Sequence, residues 1–206
     1  MELEKIRRIA RPLVIFLHGL VLIFLLWILV ETLGGFLSPI KLIDVLGLGA
    51  ITCLTLSLAC TPINIIFNFP PVLRLRRLTG LYAFGFACLH LAAFFWRLNP
   101  KGWSDFWMGV LSSWAQQIGC LTFIILLVLA ITSFKWWRRR MKRSWKRLHR
   151  TAYAAGLLAG LHLMGAPHSP VALGSSFFFL ILLLLAIRLP PLKAWYIRKH
   201  APEAKD

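Results

Sequence analysis

Six apolar stretches, each about as long as a membrane span, alternate with short basic segments along this 206-residue chain. A bilayer core of about 30 Å needs roughly 20 apolar residues in a helix. The mean hydropathy of +0.74 and the 59% of hydrophobic residues agree with an integral membrane protein. The sequence therefore predicts an all-α, polytopic membrane protein, a single domain over residues 1–206 that folds as a six-transmembrane-helix bundle. The predicted spans cover residues 12–30, 41–60, 78–96, 114–134, 150–166 and 172–187.

The basic residues lie almost entirely on one side of this predicted bundle. Both termini share that side with the 61–77 and 135–150 connections, and together they carry 21 of the 24 Lys and Arg. Pro62 predicts that the 61–77 connection is a loop, because proline interrupts helical hydrogen bonding. The positive-inside rule then places both termini in the cytoplasm. The net charge of +17 is explained by these cytoplasmic basic residues, which can contact anionic lipid. The sequence predicts no nucleic-acid partner.

Two of the spans carry a histidine at the same depth. His90 lies twelve residues after Leu78, and His162 lies twelve residues after Arg150. At a rise of ~1.5 Å per residue, each is roughly 18 Å from the basic end of its span. An imidazole in lipid needs a metal, a hydrogen bond or water. Two histidines facing each other in a bundle favour a haem iron between them, although hydrogen bonds to neighbouring helix carbonyls are the simpler alternative.

Three residues at the basic ends of the spans are candidates for binding an anionic group. Arg76 and Arg77 precede the third span, and guanidinium groups bind haem propionates or a flavin phosphate well. His149 precedes His162 by thirteen residues and could ligate a haem iron, hold a propionate or contact a flavin. The residue thirteen before His90 is Arg77, so a second haem with two histidine ligands is not predicted. The alternative is that all three are interfacial residues in contact with lipid.

The remaining features narrow the class of function. No CxxCH motif is present, so a bound haem would be b-type. No charged residue lies well inside a span, which disfavours an ion-coupled transporter or channel with histidines along its pathway. No Gly-rich nucleotide motif is present, so electrons would come from a partner protein or from quinol. His18, in the first span, could line a quinone or cofactor pocket or could be a structural hydrogen-bond donor.

The segments around the histidines resemble a known family. Residues 76–81 (RRLTGL), 87–91 (ACLHL), 145–153 (WKRLHRTAY) and 161–162 (LH) are similar to the haem-binding membrane subunit of the bacterial protein-methionine-sulfoxide reductase system, the MsrQ/YedZ family. That family belongs with the ferric-reductase-like transmembrane domains. The resemblance covers essentially the whole chain in length and topology, and its specific part lies in spans three and five.

The resemblance implies an electron-transfer subunit of the bacterial inner membrane that holds haem b and FMN. Electrons from the quinone pool or a cytoplasmic flavin reductase would pass to a periplasmic, molybdopterin-containing catalytic subunit, which repairs methionine sulfoxide in oxidised envelope proteins. Catalysis would occur on that partner. His90 and His162 match the haem-ligand positions, and His149 matches a third family histidine. A ferric or quinone reductase of the same bundle type is the competing interpretation.

Overall fold

Eight α-helices and one short 3₁₀ helix make up the part of the chain that the structure, a computed structural model, describes, residues 2–98 and 103–189. The predicted tail after Leu189 and residues 99–102 lie outside these ranges. The α-helices are α1 (Glu2–Leu33), α2 (Pro39–Phe67), α3 (Leu75–Leu98), α4 (Trp103–Leu111), α5 (Trp114–Ile131), α6 (Lys135–Leu148), α7 (Thr151–Met164) and α8 (Val171–Ala186), and the 3₁₀ helix is Pro70–Arg74.

Four of these segments are long and apolar enough to cross a membrane: Arg8–Leu33, Pro39–Phe67, Pro70–Arg97 and Trp114–Ile131. Helices α7 and α8 are apolar but shorter, with 14 and 16 residues, or about 21 and 24 Å. The all-α, multi-pass class predicted from the sequence is confirmed. The count of six spans and the side on which the termini lie stay predictions.

The prediction of a loop over residues 61–77 is wrong. Helix α2 passes through Pro62 and ends only at Phe67, where Asn68 takes a left-handed conformation with φ of 47°. Pro62 has no N–H to donate to the carbonyl of Leu58, four residues earlier. The Arg188 Nη2 donates to that carbonyl instead. The helix continues because a side chain from the end of α8 replaces the missing backbone donor.

The basic 135–150 connection, predicted as a loop, is also mostly helical. Helix α6 has no buried side chain, and it is kinked at Lys142, whose φ of 48° lies in the left-handed region. Serine side chains cap the starts of two of the core helices: Ser38 accepts from the N–H of Lys41, and Ser113 accepts from the N–H of Ala115. These caps set where α2 and α5 enter the bundle.

Two helical hairpins form the centre of the bundle. In one, α2 packs along α3, and in the other, α5 packs along α7, while α3 also contacts α5. Helix α8 covers α7 and α2, and α1 lies outside, with most of its side chains exposed. The hydrophobic core includes the fully buried Ala83 of α3 and Ala155 of α7. The two hairpins therefore place α3 and α7 on either side of the bundle centre.

Candidate functional site

His90 of α3 and His162 of α7 face each other at the bundle centre. Their ring centroids are 6.0 Å apart, and the ring planes are nearly perpendicular, at 85°. Both side chains line one cavity, the His90–His162 cavity, together with apolar and small residues from α2, α3, α5 and α7. The structure thus brings together the two histidines that the sequence placed at one depth.

Each histidine is oriented by one backbone carbonyl of the neighbouring helix. His90 Nδ1 lies 2.8 Å from the carbonyl oxygen of Ile43, and His162 Nδ1 lies 2.7 Å from that of Ala115. Because a carbonyl oxygen only accepts, each Nδ1 carries the proton and donates it. A neutral imidazole in this tautomer keeps the lone pair of Nε2 free for a metal, an arrangement usual for metal-bound histidines. The hydrogen bonds expected under the simpler alternative are therefore present, and they leave Nε2 of each ring unused.

A glycine lies beside each ring. A Cβ atom built on Gly47 of α2 would be 3.0 Å from His90 Nδ1, and one built on Gly119 of α5 would be 2.7 Å from His162 Cε1. Any larger residue at either position would push the imidazole out of its place. The close approach of helix backbone to ring is what lets both carbonyls reach their histidines.

The two hairpins repeat one another at a constant offset of 72 residues. This offset relates His90 to His162, Gly47 to Gly119, and Ile43 to Ala115, whose carbonyls accept from the two histidines. Both hydrogen bonds accordingly span 47 residues along the chain. Further matched pairs are Thr79 and Thr151, Ala83 and Ala155, Ala87 and Ala159, and Leu54 and Leu126. The site is thus built twice from the same local arrangement.

The spacing of the two rings fits a metal ion bound between them. Metal–imidazole bonds are about 2 Å long, so two rings bound on opposite sides of one metal have centres about 6 Å apart. The observed 6.0 Å matches that separation. Two imidazoles supply only two ligands, which suits an iron whose other four ligands come from a macrocycle. Apart from the two histidines, the lining is mostly apolar, with Asp44, Gln116, Thr122 and Ser169 as polar exceptions.

A second, more polar cavity of about 510 Å³ lies toward the basic ends of the same helices. This basic cavity shares Leu54 and Leu126 with the His90–His162 cavity. The three candidates for anion binding predicted from the sequence, Arg76, Arg77 and His149, line this cavity. Four further Lys and Arg side chains line it as well. The basic residues and the histidine of its lining are Arg76, Arg77, Lys135, Arg138, Lys146, His149 and Arg150.

His149 is held by two contacts. Its ring stacks on Trp145 with centroids 4.0 Å apart, and its Nε2 lies 3.1 Å from Thr132 Oγ1. Because Thr132 donates its hydroxyl proton to the carbonyl of Val128, at 2.7 Å, it accepts from the Nε2–H of His149. Burial lowers the pKa of His149, and the nearby positive charge of Arg76 lowers it further. His149 is therefore neutral at pH 7, with the lone pair on Nδ1.

His18 lies apart from both cavities. It is exposed on α1 and forms a hydrogen bond through Nδ1 with the hydroxyl of Tyr82 on α3. The two rings meet edge to face, with centroids 5.7 Å apart. The structure therefore joins His18 to an aromatic residue at the surface rather than to the other five candidates.

Sequence reasoning missed several residues around the two histidines. Asp44 and Gln116 occupy equivalent positions of the two hairpins and line the His90–His162 cavity. The buried Oε1 of Gln116 has no hydrogen-bond partner among the described residues. The 72-residue repeat was a signal in the sequence that could have found this pair and the two glycines.

The fold and the site together define an all-helical, multi-pass membrane protein whose core presents two facing histidines. The sequence profile described as "Ferric reductase like transmembrane component" matches residues 46–160, more than half of the chain. The chain belongs to this ferric reductase-like transmembrane family. The match extends from α2 into α7 and ends two residues before His162.

Curated relatives refine the comparison. The protein-methionine-sulfoxide reductase heme-binding subunit MsrQ of Xanthomonas campestris pv. campestris (strain 8004) is 36% identical over 143 residues, 69% of this chain and 65% of that protein. The subunit of the same name from Xanthomonas axonopodis pv. citri (strain 306) is 42% identical over 117 residues, 56% of this chain and 53% of that protein. The aligned region thus spans about half to two thirds of these relatives. The resemblance to the MsrQ family predicted from the sequence is confirmed. No solved structure matches this chain.

Proposed function

We propose that this protein is a b-haem electron-transfer subunit of the bacterial inner membrane, in which His90 and His162 would hold the haem iron. The observation that carries the proposal is the pair of rings 6.0 Å apart, each with Nδ1 bonded to a backbone carbonyl. When bound, the haem supplies reversible one-electron transfer. The carbonyls of Ile43 and Ala115 fix each ring through Nδ1 and leave Nε2 of each histidine free, as is usual for metal-bound histidines.

The names of the relatives favour one electron acceptor. Both belong to a system that reduces methionine sulfoxide in proteins. We infer that this chain passes electrons to a periplasmic, molybdopterin-containing catalytic subunit, which carries out that reduction and so repairs oxidised envelope proteins. The donor is either the quinone pool or a cytoplasmic flavin reductase. The basic segments then face the cytoplasm, as the positive-inside rule requires, with both termini on that side.

The basic cavity is proposed to hold FMN. Its volume of about 510 Å³ lies in the range of cofactor pockets. Arg76 and Arg77 offer bidentate donors for a phosphate, and the ring of His149 is fixed at the same wall. In this proposal the ring of His149 contacts the bound flavin. Its Nε2 is already bonded to Thr132, so iron ligation by His149 would need Nδ1.

The test is electron delivery from the reconstituted protein. The protein is reduced in proteoliposomes, and the haem absorbance is followed after addition of the molybdopterin catalytic subunit and methionine sulfoxide. We expect rapid reoxidation that requires both additions. Reoxidation by ferric chelate, with none by the catalytic subunit, would instead identify a ferric reductase, the activity suggested by the description of the family profile.

A further inference from the structure

His18 and Tyr82 form a polar pair on a surface that faces lipid. The pair joins α1 to α3, and the neighbouring α1 side chains Ile15 and Leu22 are 70% and 58% exposed. His18 lies seven residues after Arg11, so it is about 10 Å along the helix from the last basic residue of α1. At that depth the surroundings are hydrocarbon chains rather than water. A polar group exposed there is costly unless something binds it.

The hydrogen bond within the pair uses only one imidazole nitrogen. Nδ1 of His18 is bonded to the Tyr82 hydroxyl, and no hydrogen bond to Nε2 occurs in the described part of the chain. When Nδ1–H donates to the Tyr82 oxygen, Nε2 carries a lone pair and the Tyr82 O–H is free to donate. The pair then offers one acceptor and one donor side by side. A ligand that fits must dissolve in lipid and carry a hydroxyl or a carbonyl.

The pair is connected to the histidine site through α3. Tyr82 precedes His90 by eight residues, or about 12 Å along the helix, and both lie on one face because their spacing is two helical turns. Phe86 lies between them on that face, and its side chain is 96% buried. Electrons can tunnel over this distance through packed protein. A redox-active ligand at the pair would thus be electronically coupled to His90.

From these observations we propose that His18 and Tyr82 form the site at which a membrane quinol is oxidised. The inference rests on the proposed function, because the electrons go to the haem held by His90 and His162. Oxidation of a quinol to the quinone breaks two O–H bonds and releases two protons and two electrons. The first proton passes from the bound hydroxyl to Nε2 of His18, while the Tyr82 O–H donates to the same oxygen, and His18 then releases that proton to cytoplasmic water. The two electrons leave one at a time along α3, and the opposite hydroxyl releases the second proton to water when the semiquinone is oxidised.

The kinetic test uses the haem-loaded protein in nanodiscs, mixed with a short-chain ubiquinol in a stopped-flow instrument. His18→Phe should slow haem reduction by quinol about 100-fold, the usual contribution of a general base. Tyr82→Phe should slow it about tenfold through loss of one hydrogen bond. Ile15→Ala, one turn away on the same face of α1, is the matched control and should match the wild type.

Two readouts separate a quinol site from a merely structural contact. Reduction by dithionite and the thermal midpoint should be the same in all four proteins, because dithionite does not use the pair. Unchanged quinol rates in both variants would overturn the proposal. A proportional loss of the dithionite and quinol reactions would do so as well, because it would mean that the pair only supports the fold.

A labelling experiment tests binding without relying on haem. A photoreactive azido-quinone should label peptides of α1 and α3 around His18 and Tyr82 in the wild-type protein, and the two variants should suppress that labelling. Label confined to other helices would refute the site even if electron transfer through haem is correct. If the azido-quinone labels His18 and Tyr82 specifically but the protein binds no haem, the quinone site is supported and the proposed function is rejected.

Discussion

The two hairpins of this bundle, α2–α3 and α5–α7, are nearly identical at one end and different at the other. At the histidine end, glycine, carbonyl and imidazole recur at the same spacing in both hairpins. At the basic end, the 72-residue offset pairs Arg77 with His149. The equivalent imidazoles suit the haem iron proposed to lie between them. The different groups at the basic end suit the asymmetric anion proposed to bind there.

The largest effect is expected from filling the glycine positions. In Gly119→Ala the new Cβ would lie 2.7 Å from the ring of His162, and in Gly47→Ala it would lie 3.0 Å from that of His90. Displacing an outer contact of a metal-bound histidine typically costs 10–100-fold in affinity, so we expect a loss of about that size for Gly119→Ala and a smaller one for Gly47→Ala. Haem titration of the purified protein measures both.

Gly85→Ala is the control for this pair, because a Cβ on Gly85 meets no atom within 4 Å. Its haem affinity should equal that of the wild type. Equal, full affinity in Gly47→Ala and Gly119→Ala would show that the close packing of the rings does not matter for haem.

At the basic end, the changes should separate the two cofactors. His149→Ala and Arg77→Gln should each weaken FMN binding roughly tenfold, as expected for loss of one charge-assisted or ring contact. The haem spectrum should not change, because both residues lie about 20 Å along the helices from the histidine pair. Flavin fluorescence quenching gives the affinities. Arg139→Gln is the control, since Arg139 is exposed and does not line the cavity.

A second difference between the hairpins is Pro62, which lies inside α2, whereas α5 contains no proline. Arg188 donates to the carbonyl that Pro62 leaves free. In Pro62→Ala the alanine N–H can take over that carbonyl, so Arg188→Leu should cost less stability there than in the wild type. We expect a coupling of about 1 kcal/mol or more between the two changes. Thermal unfolding of the four proteins in detergent gives the cycle, and additive costs would rule out this role for Arg188.

The smallest effect concerns pH. Burial lowers the pKa of His149, so the folded protein binds fewer protons at this residue than the unfolded chain does. The contribution of His149 to stability is therefore complete above the unfolded pKa of about 6.5 and declines as the pH falls below it. Between pH ~7.5 and ~5.5 the wild type should lose slightly more thermal stability than His149→Gln. A larger loss in the variant would contradict the sign.

The sequence predicted the depth of the histidines better than their surroundings. Counting twelve residues from each basic end was enough to place His90 and His162 at one level, because helical rise is nearly constant. Which carbonyl each ring would meet depends on how α2 and α5 rotate against their partners, and periodicity within one helix does not fix that rotation. The 72-residue repeat contains this information, since two equivalent hairpins place equivalent groups around a common centre.

The wrong prediction of loops over residues 61–77 and 135–150 also results from contacts between distant parts of the chain. Pro62 predicts the end of a helix, because proline has no N–H to donate to the helix and the lost hydrogen bond is costly. The side chain of Arg188, 126 residues further along the chain, donates to the carbonyl of Leu58 that Pro62 leaves without a donor. The sequence around Pro62 does not predict this contact. Sequence reasoning likewise missed that the basic 135–150 connection is helical. There Trp145 donates to the carbonyl of Thr132 and stacks on His149, contacts that the charge pattern does not predict.

The most direct test of the central claim is the dithionite-reduced minus oxidised visible spectrum of the purified protein, beside those of His90→Ala and His162→Ala. The account predicts a sharp b-type α band in the wild type that is lost in both variants while each stays folded by circular dichroism. Equal loss is required, because the two hairpins contribute equivalent ligands. A wild type that stays colourless after growth with ample haem, or an α band that survives either substitution, would contradict it.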